Sequence, residues 1–490
     1  MRVRHHVRSR ALPALVALVA AAVLTMVAGP QPAALGYVSR GDAALVAEVR
    51  SLVGGTDARE AGVAAGFRSL AVGLVDGERT TYAFVGDRGD GRAPDTSTTF
   101  EVASVTKTFT ALLLADAVQR GEVALDDPIE GLLPELEGSE AGEVTLEELA
   151  THRSGLPAYA DVVSGAAYEG FGAADLAVED EAAVIGQTLA LRLSGRGTWQ
   201  YSNLGVSLLG FGLARAAREA SWESLVHRRI LDPLGMTATT FARTAADVPA
   251  SAAQGHRSNG TRVLPVTGAG YLPAGTTTFT TVADMTAYAG AILSGRAPGL
   301  TALEPRYDLG GNEQIGLVWY SRPSGGHTVW WHDGGVPGFS SVLVVDRVAG
   351  RAVVVLGGSE QGVDAVGFHL LDPHSPVTWF GSGLVSTLVG AAGFAVVVGA
   401  VVVGFRSRRP LRLVAAGLAA QGGLLLALRH GPWHQLQPWA WGLTAALVFW
   451  GTVEAGRRWG GLTRSRRDDV AGVVASAIAL AAYGLVIWLG

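Results

Sequence analysis

Three short stretches of this 490-residue chain carry residue types that could do chemistry together. The first is Phe100-Glu101-Val102-Ala103-Ser104-Val105-Thr106-Lys107-Thr108-Phe109. Ser104 and Lys107 are three residues apart, a spacing that puts both on one face of a helix. A serine hydroxyl is a weak nucleophile until a neighbouring base activates it. A partly desolvated lysine can be that base, or can lower the pKa of another one. The chain has 38 Lys plus Arg residues, and Lys107 is its only lysine. Arginine does not release its proton in a protein, whereas a buried lysine does. A site that needs a deprotonable amine therefore cannot accept the residue used everywhere else in this chain.

The second stretch is Tyr201-Ser202-Asn203. A phenol beside a lysine can exchange protons with it. The Asn203 amide can donate to a substrate carbonyl or reach Lys107. Ser202 or Asn203 is equally suited to cap a helix, which requires no catalysis. The third stretch is His332-Asp333-Gly334-Gly335, at the end of an apolar run. Glycines there let backbone N–H groups approach a substrate oxygen, as an oxyanion hole requires. His332 can donate a hydrogen bond or bear a positive charge. Asp-Gly is also a plain hairpin turn.

The elements that must position these residues follow from the patterning. Residues 67–75 and 80–85 read as strands joined by Asp76-Gly77. A helix carrying Ser104 runs to about Arg120 and stops at Gly121. Residues 145–151 form a short helix with Thr145 and Glu148 as a capping box, and helices follow at 203–220, 221–231 and 282–294. Residues 161–182 are an uninformative connection. Past Pro305 the texture becomes strands and tight turns, with strand-like runs at 314–320, 328–332, 339–345 and 351–356. Strands at both ends and helices between them predict an α+β fold in which the N-terminal hairpin joins the C-terminal meander in one sheet.

Composition narrows the chemistry. The chain has no cysteine, which removes disulfides, thiolate nucleophiles and zinc-thiolate sites. A net charge of −5 gives no basic surface for nucleic acid. No Gly-rich phosphate loop, metal-ligand cluster or cofactor motif is present. His152 and Asp333 read as a loop-holding residue and a turn residue.

Hydrophobic residues make up 49% of the chain, and their excess lies at the two ends. Arg2, Arg4, Arg8 and Arg10 precede an apolar run at 11–28, with Ala34 and Gly36 as a cleavage site. Residues 1–36 thus read as a signal peptide or an uncleaved signal anchor. Residues 37–372 form the soluble domain. Residues 373–490 read as a transmembrane region with four helices at about 380–405, 411–428, 439–453 and 470–489. Arg406, Arg408, Arg409 and Arg412 lie between the first two runs. Arg457, Arg458, Arg464, Arg466 and Arg467 lie between the last two. The positive-inside rule puts both loops in the cytoplasm and the soluble domain outside.

Taken together, Ser104-x-x-Lys107, Tyr201-Ser202-Asn203 and His332-x-Gly334 resemble the serine β-lactamase and penicillin-binding-protein superfamily, and most closely its class C β-lactamase-like branch. His152-Arg153-Ser154-Gly155-Leu156-Pro157, Leu231-Asp232-Pro233-Leu234-Gly235-Met236 and Pro273-Ala274-Gly275 followed by Asp284 fit the same pattern. The resemblance implies an antiparallel sheet flanked by helices beside an all-helical lobe, with the site between them. It implies that Ser104 is the acylated nucleophile and that Lys107 and Tyr201 are the proton-transfer pair. It further implies that Asn203 contacts the substrate amide or Lys107, that His332 contributes to substrate binding, and that the Ser104 and Gly335 N–H groups form the oxyanion hole. His332 stands where class C β-lactamases have lysine, so a permanent cation for a substrate carboxylate is missing. The separate deacylating glutamate of the class A arrangement finds no counterpart.

The expected function is that of an extracytoplasmic, membrane-anchored serine hydrolase acting on esters or amides, D-amino-acid peptides and β-lactams among them. Its partners would be a small-molecule or peptide substrate and the lipid bilayer. The alternative is a sensor that is acylated without useful turnover and signals through its helices. Transport is less consistent with runs that carry no acidic residue but Glu454, close to one end.

Overall fold

The computed structural model describes residues 35–55, 58, 66–161, 180–258, 260–265, 267–375, 383–406, 410–430 and 440–448. The signal at 1–36 (save its last two residues), most of the 161–182 connection and the apolar run at 470–489 lie outside them. The chain divides into two compact units: residues 34–257 with 262–380, and residues 381–490 with 1–33 and 258–261.

The first unit begins with β1 (Ser39–Gly41) and α1 (Ala43–Gly54), whose N-cap Asp42 accepts the Leu45 N–H at 3.0 Å. β2 (Ser69–Asp76) and β3 (Arg79–Gly86) form the expected hairpin, with Asp76 facing Arg79 across Gly77-Glu78. Gly77 takes φ 56°, which a side chain disfavours. β4 (Thr99–Glu101) leads into a 3₁₀ turn, Ala103–Thr106, and then α2 (Lys107–Gln119). α3 (Leu146–Ala150) has the Thr145–Glu148 capping box. α4 (Glu181–Thr188), α5 (Asn203–Ala216) and α6 (Trp222–Val226) complete a stretch that, among the described residues, holds helices and turns with one isolated bridge, Pro128 to Thr145: the helical lobe. The expected helix at 221–231 is α-helical only to Val226; His227–Leu231 continue as a π-helical turn. Short strands β5 (Thr240–Phe241), β6 (Gly255–His256), β7 (Arg262–Val263) and β8 (Thr278–Thr281) follow, then α7 (Val282–Leu293).

The C-terminal meander is β9 (Tyr307–Gly310), β10 (Glu313–Ile315), β11 (Tyr320–Ser324), β12 (His327–Val336), β13 (Phe339–Asp346) and β14 (Arg351–Gly357), closed by α8 (Asp364–Leu371). The nine-stranded sheet runs β1-β3-β2-β14-β13-β12-β11-β10-β9, antiparallel throughout, so the two ends of the domain pair through β2 and β14. One expected strand, 314–320, is broken. Val318 takes φ 65° and donates its N–H to Ala150 O at 2.7 Å, while Leu317 N–H bonds Ala302 O. Leu317, Val318 and Trp319 are all buried, so packing against the helical lobe overrides a run that reads as one strand.

Both faces of the sheet are covered, which is why its central strands are apolar at successive positions rather than alternating. Val342, Val344, Val353 and Val355 pack under α1 and α8, while Leu343, Val345, Val354 and Leu356 join the core with α2, α5 and α7. Each such side chain contributes about 1.5–3 kcal/mol on burial. A second, three-stranded sheet, β4-β8-β5, fixes the strand that leads into Ser104.

In the second unit, α9 (Gly383–Arg406) packs along α10 (Pro410–His430). A Cβ on Gly423 would lie 2.7 Å from Gly393 O, so glycine at both positions allows the backbones to meet. Residues 440–448 are also helical, and Trp441 donates to Leu424 O at 3.2 Å. The side chains described within α9 and α10 run from 390 to 402 and from 413 to 428. Among the described residues, no helix is long and apolar enough to cross a membrane.

Candidate active site

Ser104 lies in the 3₁₀ turn rather than in the α-helix itself, and Lys107 is the first α-helical residue. In a 3₁₀ turn residues i and i+3 stack directly above one another. Lys107 Nζ accordingly reaches Ser104 Oγ at 2.8 Å. Ala103, which enters this turn, holds φ 50°, an unfavourable conformation for a residue with a Cβ.

Tyr201 comes from the other side. Its Oη donates to Ser104 Oγ at 2.8 Å, and Lys107 Nζ lies 4.9 Å from its ring centroid. Two segments that bond to each other place it: Gln200 N–H donates to His152 O and Gly197 N–H to Arg153 O, both at 2.7 Å. Ser202 is the helix cap, its Oγ accepting from Gly205 N–H at 2.9 Å and donating to Pro157 O at 2.7 Å. Ser202 thus caps the helix, while the Tyr201 hydroxyl faces Ser104.

His152 is fully buried and its ring lies 4.6 Å from that of Tyr201. Its Nδ1 accepts the Ser202 N–H at 3.2 Å, which puts the proton of a neutral ring on Nε2. Burial, with Lys107 and His332 nearby, holds its pKa well below that of an ordinary histidine. The expected loop-holding residue is thus also one wall of the Tyr201 pocket.

Lys107 is fully buried, and that burial lowers its pKa far below the usual lysine range, with Asp333 opposing the shift. A second acceptor holds the amine: the backbone carbonyl of Ala274, at 2.5 Å. No side chain marks such a group, and the Pro273-Ala274-Gly275 stretch does not by itself reveal that its carbonyl meets Lys107. Asn203 is the first residue of α5 and nearly buried. Among the described residues Lys107 Nζ bonds Ser104 and Ala274, and no hydrogen bond joins it to Asn203.

β12 runs past the Ser104 turn at contact distance. A Cβ on Gly334 would overlap Val102 O and lie 3.1 Å from Ala103 Cβ, so only glycine fits there. Ser341 Oγ on the paired strand donates to the same Val102 O at 2.7 Å. Gly335, the next residue, is exposed. His332 is 1% exposed, and its Nδ1 lies 2.6 Å from Asp333 O, an acceptor only, so Nδ1 is the protonated nitrogen. Nε2 is then a buried acceptor with no partner among the described groups. Burial, reinforced by Lys107, pushes the pKa down to about 3. Of the two roles open to His332 in the sequence, burial disfavours the positive charge and favours the neutral imidazole.

The geometry can be set beside known proteins. The Beta-lactamase family model matches residues 50–369. The chain belongs to the Beta-lactamase family. A solved class C beta-lactamase superimposes with a TM-score of 0.57 at 19% identity, covering 68% of this chain and 98% of that one. Esterase EstB from Burkholderia gladioli is 34% identical over 161 residues, 31% of this chain and 40% of the esterase. Putative beta-lactamase-like 1 from Homo sapiens is 29% identical over 300 residues, 56% of this chain and 57% of the relative. The chain therefore spans well under two thirds of these curated relatives. The β-lactamase/transpeptidase-like α+β fold is shared with the solved structures.

Proposed function

We propose that the protein hydrolyses esters or amides through an acyl-Ser104 intermediate. The observation that carries this reading is the convergence of Lys107 Nζ and Tyr201 Oη on Ser104 Oγ, each at 2.8 Å. With its pKa lowered, Lys107 presents a neutral amine. One N–H stays on Ala274 O, and the lone pair turns to the Ser104 hydroxyl. Ser104 attacks the substrate carbonyl as its proton passes to the Lys107–Tyr201 pair. The N–H groups of Ser104 and Gly335 receive the developing oxyanion. The same proton then goes to the leaving alcohol or amine, and water releases the acyl group in a second displacement.

The neutral His332 bears on substrate choice. A buried imidazole cannot act as the permanent cation that a substrate carboxylate needs. Esters and amides without a carboxylate next to the scissile bond are therefore the first substrates, in keeping with the similarity to an esterase. D-amino-acid peptides and β-lactams rank behind them.

The location belongs to the same proposal. The basic, then apolar N-terminus and the apolar runs with Arg-rich connections in residues 373–490 support an extracytoplasmic domain anchored in the bilayer.

Labelling the purified full chain with a fluorescent fluorophosphonate, beside Ser104→Ala, tests the chemistry. Labelling of the wild type alone, with turnover of a p-nitrophenyl ester, is expected. No Ser104-dependent label and no Ser104-dependent hydrolysis across an ester, D-alanyl peptide and nitrocefin panel overturns it. Protease accessibility in intact cells tests the orientation.

A further inference from the structure

Residues 101, 104, 107 and 110 are spaced by three, and each meets one residue of the segment 273–277, in antiparallel order. Glu101 Oε1 accepts the Thr277 N–H at 2.9 Å. Ser104 Cα stands 3.1 Å from where a Cβ on Gly275 would be. Lys107 Nζ donates to Ala274 O, and Thr110 Oγ1 donates to Pro273 O at 2.8 Å. Thr110 is itself held by Trp222 Nε1 at 3.1 Å. The segment is thus a rail laid along the nucleophile and its lysine. Thr277 at φ 65°, unfavourable for a β-branched residue, shows that the end of the rail is held in a strained shape, and Gly275 at φ 103° takes a turn that glycine permits.

The end of the rail nearest Ser104 hangs on Glu101. This carboxylate is 1% exposed, sits on β4 opposite Phe279, and has the Thr277 N–H as its hydrogen bond. The groups facing it from β8 and the rail (Thr277, Thr278 and Phe279) are neutral, and among the described residues no cation pairs with it. The titratable group that follows along its own chain is Lys107.

We propose that Glu101 is a positioning residue for the reaction. Through Thr277 it fixes the rail whose Ala274 carbonyl takes one hydrogen of the Lys107 amine and so turns the lone pair toward Ser104. The role rests on the acyl-Ser104 reading. It requires an acceptor at Glu101, not a charge. Burial pushes this carboxyl up to about 8, so the protonated form serves at neutral pH. Ionisation above that value leaves an uncompensated buried charge on β4, which disturbs the strand that leads into Ser104.

Two variants test the assignment on the full chain. Glu101→Gln keeps a carbonyl acceptor for Thr277 and cannot ionise. It is expected to retain kcat within about twofold at pH 7 and to lose the alkaline decline that the wild type shows near pH 8, with KM unchanged. Glu101→Ala is expected to lower kcat at pH 7 by about 10- to 100-fold with KM within about threefold, and Glu101→Gln to rescue it. Superimposable pH–kcat profiles for wild type and Glu101→Gln overturn the proposal. So does a Glu101→Ala enzyme with wild-type kcat. If Glu101→Ala does not fold, the Glu101→Gln profile decides alone. Fluorophosphonate labelling of wild-type Ser104 is read in parallel. Its absence condemns the acyl-enzyme reading itself, whereas its presence with unaltered profiles condemns only the role of Glu101.

Discussion

Lys107 Nζ stands 4.9 Å from the centroid of the Tyr201 ring, and the polar ends of both residues meet at one atom, Ser104 Oγ. The cation–π contact lets the aromatic face tolerate a protonated lysine during turnover, while burial favours the neutral amine at rest. Neither residue needs a third side chain to reach the nucleophile.

Lys107→Arg preserves positive charge and removes the base. A guanidinium cannot give up its proton, and its fork does not fit a site built around a single Nζ with two acceptors. Ester hydrolysis is expected to fall by about 10³-fold or more, with circular dichroism reporting a folded protein. Retention of a tenth of the wild-type rate would remove Lys107 from the mechanism.

Tyr201→Phe deletes the phenolic hydroxyl that donates to Ser104 and leaves the ring against His152 and Lys107. The expected loss in kcat is about 10²- to 10⁴-fold, the usual range for one proton-transfer group. The melting temperature should move little, because the packing is kept. A kcat within threefold of wild type would show that Tyr201 only fills space.

Gly275 packs on the nucleophile's own backbone, and a Cβ there would overlap Ala103 O. The residue also holds φ 103°. Gly275→Ala is therefore expected to cost about 2 kcal/mol or more in urea unfolding, from clash and positive φ together. It should also reduce kcat by displacing Ala274 O. An unchanged unfolding midpoint would contradict the close approach.

Stability should depend on pH with a sign set by the buried imidazoles. His332 has a folded pKa of about 3 against an ordinary 6.5, so between these values the unfolded chain binds the proton and the folded one does not. Its contribution is present above pH 6.5 and is lost as pH falls toward 3. His152 acts in the same direction. Glu101, at about 8, and Asp364, at about 7, act oppositely, since keeping them protonated grows harder as pH rises. The difference isolates His332: the melting temperature of His332→Gln minus that of the wild type should increase as pH drops from 6.5 to 4. A constant difference would mean that His332 is protonated in the folded protein.

His332→Lys restores the residue that class C relatives carry. It should raise kcat/KM for substrates with a carboxylate next to the scissile bond relative to matched neutral esters, by about tenfold, the value of one charge-assisted contact of ~1.4 kcal/mol. A ratio unchanged by the substitution would show that this position does not meet the substrate.

Local pattern determined much of this protein. The Asp76-Gly77 hairpin, the Thr145–Glu148 box, the Ser202 cap and the Ser104–Lys107 spacing are set by residues within a few positions of each other, and each is legible without a fold. Ser104, Lys107 and Tyr201 could be named as partners because Ser-x-x-Lys, Tyr-Ser-Asn and His-x-Gly together resemble one superfamily; taken singly, the second and third stretches also read as a helix cap and a hairpin turn. Tertiary structure alone decided the rest. Whether His332 carries a charge depends on how deeply β11, β12 and the helical lobe bury it, and an isolated His-x-Gly cannot express that depth. Residues 314–320 read as one strand until Ala150 and Ala302 claim their backbone. The acceptor that orients Lys107 is a main-chain carbonyl at Ala274, 167 residues away, and every residue has a carbonyl. Side-chain chemistry is written in residue identity; burial and backbone contact arise only when distant segments pack.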